Sequence, residues 1–92
     1  MYLSKYHPAF KKDLKNIPVE VILKLQKKID NVLQNPFAFV KLHGELNEIS
    51  KTEIKHMGVE YRLAFTVIED TVVFLMFKKR ERFYEYLHRR LK

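Results

Sequence analysis

Two apolar runs split by an acidic pair constrain this fold more than anything else in the chain. Tyr61-Arg62-Leu63-Ala64-Phe65-Thr66-Val67-Ile68 is rich in β-branched and aromatic residues, and Thr71-Val72-Val73-Phe74-Leu75-Met76-Phe77 is almost wholly apolar. Such residues suit a pleated, buried surface, and Glu69-Asp70 between them reads as a turn. The second run shows no polar alternation, which predicts a central strand covered on both faces. A sheet of that kind needs other elements to cover it.

The rest of the chain offers them. Ile22, Leu25, Ile29, Val32 and Leu33 form one helical stripe with Lys24, Lys27, Lys28 and Gln34 mostly off it, bounded by Pro18 and Pro36. Pro8 suits the start of an earlier helix running to Asn16, with Phe10, Leu14 and Ile17 at helical spacing. A short connection predicts that the two helices form an antiparallel hairpin lying on the sheet. Tyr2 to Tyr6 reads as an edge strand, and residues 37–48 as a loop or a short strand around Phe39 to Leu42. Lys51 to Met57 alternates and ends at a turn over Gly58-Val59, and helical spacing returns from Arg80 to Lys92 through Phe83, Leu87 and Leu91. The expected order is β-α-α-β-β-β-α. This is an α+β fold: an antiparallel sheet packed by an N-terminal helical hairpin and a C-terminal helix. With 92 residues, 47% of them apolar, and no internal repeat, one domain over residues 1–92 is expected.

Lysine and arginine number 18 against 11 acidic residues, a formal charge of +7 that points to an anionic partner. No cysteine is present, so disulfides and thiolate metal sites are excluded and packing must supply the stability. The start of the chain lacks the apolar core of a signal peptide, and no run approaches the roughly 18 apolar residues of a membrane span. A cytoplasmic protein without a membrane partner is expected. His7, His43, His56 and His88 are scattered without metal-ligand spacing, and Gly44 and Gly58 are the only glycines. That pattern excludes phosphate-cradling glycine loops and the serine-hydrolase elbow, and no metal or cofactor is expected.

What remains is a set of basic residues on the strands and the last helix. Strand alternation puts Lys51, Glu53 and Lys55 on one sheet face and Thr52, Ile54 and His56 on the other. A two-residue loop at Gly58-Val59, with glycine first, would be a type II′ turn and would set Lys55 directly across from Arg62. Like charges in that position invite an anionic ligand. Lys78, Lys79, Arg80 and Arg82 then run from the apolar strand into the last helix, with Glu81 and Glu85 among them. Tyr86 can stack on a base or pass a proton to a leaving oxygen, although its spacing from Phe83 fits packing equally well. A buried hairpin would hold Arg62, Arg80 and Tyr86 on one basic surface, chemistry suited to a phosphodiester.

Taken in order, Phe10-Lys11-Lys12-Asp13-Leu14, Asn35-Pro36, Lys41-Leu42-His43-Gly44, Tyr61-Arg62-Leu63, and Lys79-Arg80-Glu81-Arg82 leading to Tyr86 resemble the RelE/ParE superfamily of bacterial and archaeal toxins. The likeness spans nearly the whole chain. Members similar to RelE are ribosome-dependent endoribonucleases that cut messenger RNA by attack of a 2′-hydroxyl on the adjacent phosphate, without metal. The resemblance implies catalytic roles for Lys55, Arg62, Arg80 and Tyr86, with Lys51, Lys79 and Arg82 contacting RNA. It departs at Glu53, which stands where that subgroup has a lysine thought to be the general base. A carboxylate can also accept a proton, and Lys51 or His56 are substitutes. The resemblance further implies a cognate antitoxin, hetero-oligomers with it, and the ribosome and its messenger as partners. ParE-like members share the fold but inhibit DNA gyrase by protein contact; a nucleic-acid-binding module without catalysis is a third reading. Retention of Lys55, Arg62, Arg80 and Tyr86 together favours the ribonuclease.

Overall fold

The apolar runs form the middle of a five-stranded sheet. The computed structural model describes residues 1–92. In chain order they fold as β1 (Leu3–Tyr6), α1 (Phe10–Asp13), α2 (Val19–Gln34), β2 (Val40–Lys41), β3 (Ser50–His56), β4 (Val59–Ile68), β5 (Thr71–Lys79) and α3 (Phe83–Arg90). Short 3-10 turns at Pro36–Ala38 and Gly44–Leu46 flank β2. The strands lie in the order β1-β5-β4-β3-β2. All neighbours are antiparallel except β1, which runs parallel to β5 with Leu3 beside Thr71 and Tyr6 beside Phe74. The α+β class is as expected, and the expected edge strand β1 is present but runs parallel to its neighbour. No helix is long and apolar enough to cross a membrane.

Both faces of the sheet are covered, as the unalternating composition of β5 requires. On one face α2 buries Val21, Leu25 and Val32 in a cluster with Phe10, Ile54, Tyr61, Leu63, Phe65, Val72, Phe74 and Phe77. The helix stripe is centred slightly to one side of the expected one, since Ile22 and Ile29 are only half-buried. On the other face, Phe83 and Leu87 of α3 join Leu42, Ile49, Ala64, Leu75 and Met76. A bulge makes the two-sided packing possible. Ala64 pairs with Met76 and Phe65 with Phe74, so Leu75 is an extra residue on β5. Phe74 and Phe77, three residues apart, therefore join the same cluster while Leu75 and Met76 join the other.

Three local expectations are corrected. The first helix is a single turn, because the chain leaves it at Leu14 and reaches a left-handed residue at Asn16, φ 61°. It packs on β5 rather than forming a long hairpin with α2. The β3–β4 loop is Met57-Gly58, not Gly58-Val59: both residues have positive φ, 50° and 80°, the signature of a type I′ turn, whose twist matches that of the strands. Lys55 consequently pairs with Glu60, and Arg62 with Glu53, so the two cations are not opposite each other. Lastly, α3 starts at Phe83; Arg82 is left-handed, φ 57°, and turns the chain out of β5.

Asp13 explains why α1 stops where it does. Beyond Tyr6, β1 no longer covers β5, and the N–H of Phe77 donates instead to Asp13 Oδ2 at 3.0 Å. The carboxylate, 2% exposed, is also gripped by both terminal nitrogens of Arg90 and approached by Lys78 Nζ at 3.5 Å. Arg90 Nη1 donates further to the Leu75 carbonyl at 3.1 Å. A buried pair broken from one side leaves the other charge stranded, so Asp13→Ala is expected to cost about 3–5 kcal/mol in urea unfolding. Asp13→Ala combined with Arg90→Ala should cost less than the two losses added together. Strict additivity would show that the two side chains do not act as a pair.

Candidate functional site

The I′ turn and the bulge together decide which charges share a face. Ile54 and Tyr61 lie in the α2 core, so their neighbours Glu53, Lys55, Glu60 and Arg62 face the α3 side. Across three strands the register reads Glu53, Arg62, Lys78, with Lys55 and Glu60 forming the next rung toward the hairpin end. The Arg80 N–H donates to the Glu60 carbonyl at 2.9 Å, which brings Arg80 to that end as well. Lys55, Glu60 and Arg80 line a shallow hollow of about 400 Å³ there.

Within this row Arg62, Lys51 and Lys78 already have carboxylate partners, Lys78 in Asp13. Arg62 Nε donates to Glu60 Oε2 at 3.0 Å, and Lys51 pairs with Glu53. Arg62 Nη1 donates to the Tyr84 hydroxyl at 3.4 Å, and its guanidinium lies 5.7 Å from the centre of that ring. The hydrogen bond from Arg62, reinforced by the charges of Arg62, Lys55 and Arg80, holds the Glu60 carboxyl below its ordinary value; partial desolvation opposes the shift. Glu60 is thus an ionised acceptor in the middle of cations.

The expected residues divide accordingly. Lys51, Glu53, Lys55 and Arg62 share the α3-side face, with Arg80 beside Glu60. Tyr86 does not touch Arg62. Its half-buried ring has Lys78, Arg82 and Arg89 at 5.3, 5.5 and 5.6 Å. Lys79 pairs with Tyr61, so alternation directs it to the α2 side. His56 is also there, 3.2 Å from Lys24 Nζ, which donates to the Lys55 carbonyl. Arg82 is occupied by Glu85 at 2.8 Å, and that bond holds its proton more tightly.

Lys78, which the sequence reading placed in the basic run without giving it a role, lies in the candidate site, and so do Glu60 and Tyr84, which that reading did not single out. Glu60 was legible in principle, since it stands two residues before Arg62 and so shares its face. Tyr84 depends on how α3 is turned, which its own spacing does not fix.

The arrangement can hold an anion on Arg62, Lys78, Lys55 and Arg80, and it offers carboxylates as proton acceptors. The family model for ParE-like toxins of type II bacterial toxin–antitoxin systems matches residues 5–88. The chain belongs to this family. A free-state variant of the Escherichia coli toxin RelE, with two arginines replaced by alanine, is similar at 25% identity and TM-score 0.79, covering 99% of this chain and 98% of that one. The toxin in the intact E. coli RelBE toxin–antitoxin complex is 24% identical, TM-score 0.74, over 89% and 100% of the two chains. The Mycobacterium tuberculosis RelBE2 complex gives 19% identity and TM-score 0.73, over 86% and 98%. At those last two identities the likeness is one of fold. No curated protein matches the chain.

Family membership leaves the Glu60–Arg62 pair as a feature of this sequence that titration can examine. Its folded-state pKa lies below the ordinary 4.5, so the folded protein binds that proton less tightly than the unfolded chain. The pair therefore contributes fully above the ordinary value and loses its contribution as pH falls through the folded one. Glu60→Gln should be less stable than wild type at neutral pH, with the two urea midpoints converging in acid. A gap that widens as pH falls contradicts the assignment.

Proposed function

We propose that this toxin is a metal-independent, ribosome-dependent endoribonuclease acting on messenger RNA. The observation that carries the reading is Arg62, fixed on the sheet face between Glu60 and Tyr84 with Lys78 and Glu53 on either side. The likeness to RelE at 25% identity over nearly both whole chains supports it.

In this reading an incoming phosphodiester takes Arg62 from Glu60, and the cations of Arg62, Lys78, Lys55 and Arg80 surround its oxygens. A carboxylate of the row, Glu53 or Glu60, accepts the 2′-hydroxyl proton. The 2′-oxygen forms its bond to phosphorus as the bond to the 5′-oxygen breaks, leaving a 2′,3′-cyclic phosphate and a 5′-hydroxyl. Tyr86, at the Lys78 end of the row, is the donor to the departing oxygen, and Tyr84 orients Arg62. Preorganised cations would supply most of the rate, because negative charge grows on the phosphorane oxygens. Lys51 and Arg82 extend the cationic track for the RNA, while Lys79 serves any strand passing the hairpin edge. Residues 1–92 act as one toxin domain in the cytoplasm, where the ribosome is. The partner that silences it is a cognate antitoxin, as RelB is paired with RelE in the solved complex, assembled with it as a hetero-oligomer.

The family model's ParE-like description and the prior pairing of Arg62 with Glu60 favour a second reading, a non-catalytic toxin that binds DNA gyrase. Mapping of 5′ ends on a defined messenger in a purified translation system separates the two. Wild-type protein should create new ends only with ribosomes present, and Arg62→Ala should lower their rate by about 10²-fold without unfolding. An unchanged rate removes Arg62 from the chemistry. No new ends from folded wild-type protein, together with loss of gyrase supercoiling, establishes the second reading.

A further inference from the structure

A groove of about 560 Å³ opens beside the charged row, between the chain around β2 and α3. This is the size range of small-ligand pockets. Val40, Leu42 and Leu46 make its apolar side, and His43 and His88 stand at its polar rim with Glu45 as its one carboxylate; Lys41 also borders it, but pairs with Ser50 and so turns its side chain to the α2 face. Two further lining residues, Tyr84 and Lys51, belong equally to the row: Tyr84 accepts a hydrogen bond from Arg62, and Lys51 pairs with Glu53. The groove is therefore the next compartment along from Arg62.

A phosphodiester seated on Arg62 brings a nucleotide on each side of it, and one of them must pass Tyr84. The groove offers what a nucleotide needs there. The Tyr84 ring and two imidazoles are groups on which a base can stack, the aliphatic side excludes water from its edge, and Lys51 can meet a phosphate. We propose that this groove is the subsite for the nucleotide adjoining the cleaved phosphate, with its base against Tyr84, His43 and His88 and its own phosphate on Lys51. The inference rests on the ribonuclease reading and adds the residues that hold the substrate beside the reacting bond.

The probe is an RNA trinucleotide made uncleavable by 2′-deoxy sugars, titrated into isotopically labelled protein and followed by NMR. Resonances of His43, His88 and Tyr84 should shift together with those of Arg62. His43→Ala with His88→Ala, both at exposed positions, should weaken trinucleotide binding about tenfold and raise KM for ribosomal cleavage by a similar factor while kcat stays near wild type, as expected for uniform binding. Shifts confined to the Arg62 row, with KM unchanged in the double variant, overturn the subsite and leave the ribonuclease reading standing. Groove shifts from a wild-type protein that makes no cuts on ribosomes overturn the ribonuclease and keep a nucleotide site. No shift at any of these residues overturns the subsite whatever the cleavage result.

Discussion

The fold depends on one buried carboxylate. β1 covers β5 only as far as Phe74, and the sheet would otherwise carry an exposed edge N–H at Phe77 into the core. Asp13 accepts that N–H, and a carboxylate buried there requires a cation, which Arg90 brings from the far face of the sheet. The first helix, the longest apolar strand and the last helix are thereby joined at a single point. Because α3 is held at its C-terminal end by Arg90 and along its length by Phe83 and Leu87, its two tyrosines are set over the charged face. A residue 77 positions from Arg90 in sequence thus governs where the site's aromatic groups sit.

The second constraint is phase. Side chains on a strand alternate, so one added residue reverses every face after it. The Leu75 bulge reverses β5 once, which satisfies both hydrophobic clusters and brings Lys78 to the side of Arg62. The Met57-Gly58 turn fixes the other boundary and pairs acid with base across β3 and β4. Cations and carboxylates then alternate across β3 and β4, while across β4 and β5 Arg62 stands opposite a second cation, Lys78.

Strand and helix positions were legible because burial imposes period and length on them, as the stripe of α2 and the unbroken run of β5 illustrate. The face shared by Lys51, Glu53 and Lys55 was legible for the same reason. The pairing of Lys55 was not, because Gly58 fits either position of a two-residue loop and the choice is made by Met57 accepting a left-handed conformation. The short α1 was also hidden. Phe10, Leu14 and Ile17 keep helical spacing, but the requirement at Phe77 that recruits Asp13 is a contact across 64 positions, which no local pattern records. Tyr86 was read correctly as close to packing residues, while Tyr84, which meets Arg62, has no distinguishing spacing at all.

The balance of charge in the row bears on which anions it favours. Lys51, Lys55, Arg62, Lys78 and Arg80 outnumber Glu53 and Glu60, yet Arg62, Lys51 and Lys78 each already have a carboxylate partner, Lys78 in Asp13. A single phosphate must displace Glu60 from Arg62 and recovers little more than it breaks, since an ion pair near the surface is a modest interaction. On the ribonuclease reading a polyanion would engage Lys55 and Arg80 in the same event, and those contacts would offset the displacement. On the same reading the carboxylates would act as a threshold: small anions would leave the row closed, whereas a strand whose phosphates continue on both sides of Arg62 would open it. The overall charge of +7 attracts either kind, so such discrimination would reside in the pairing on the sheet face rather than in the net charge.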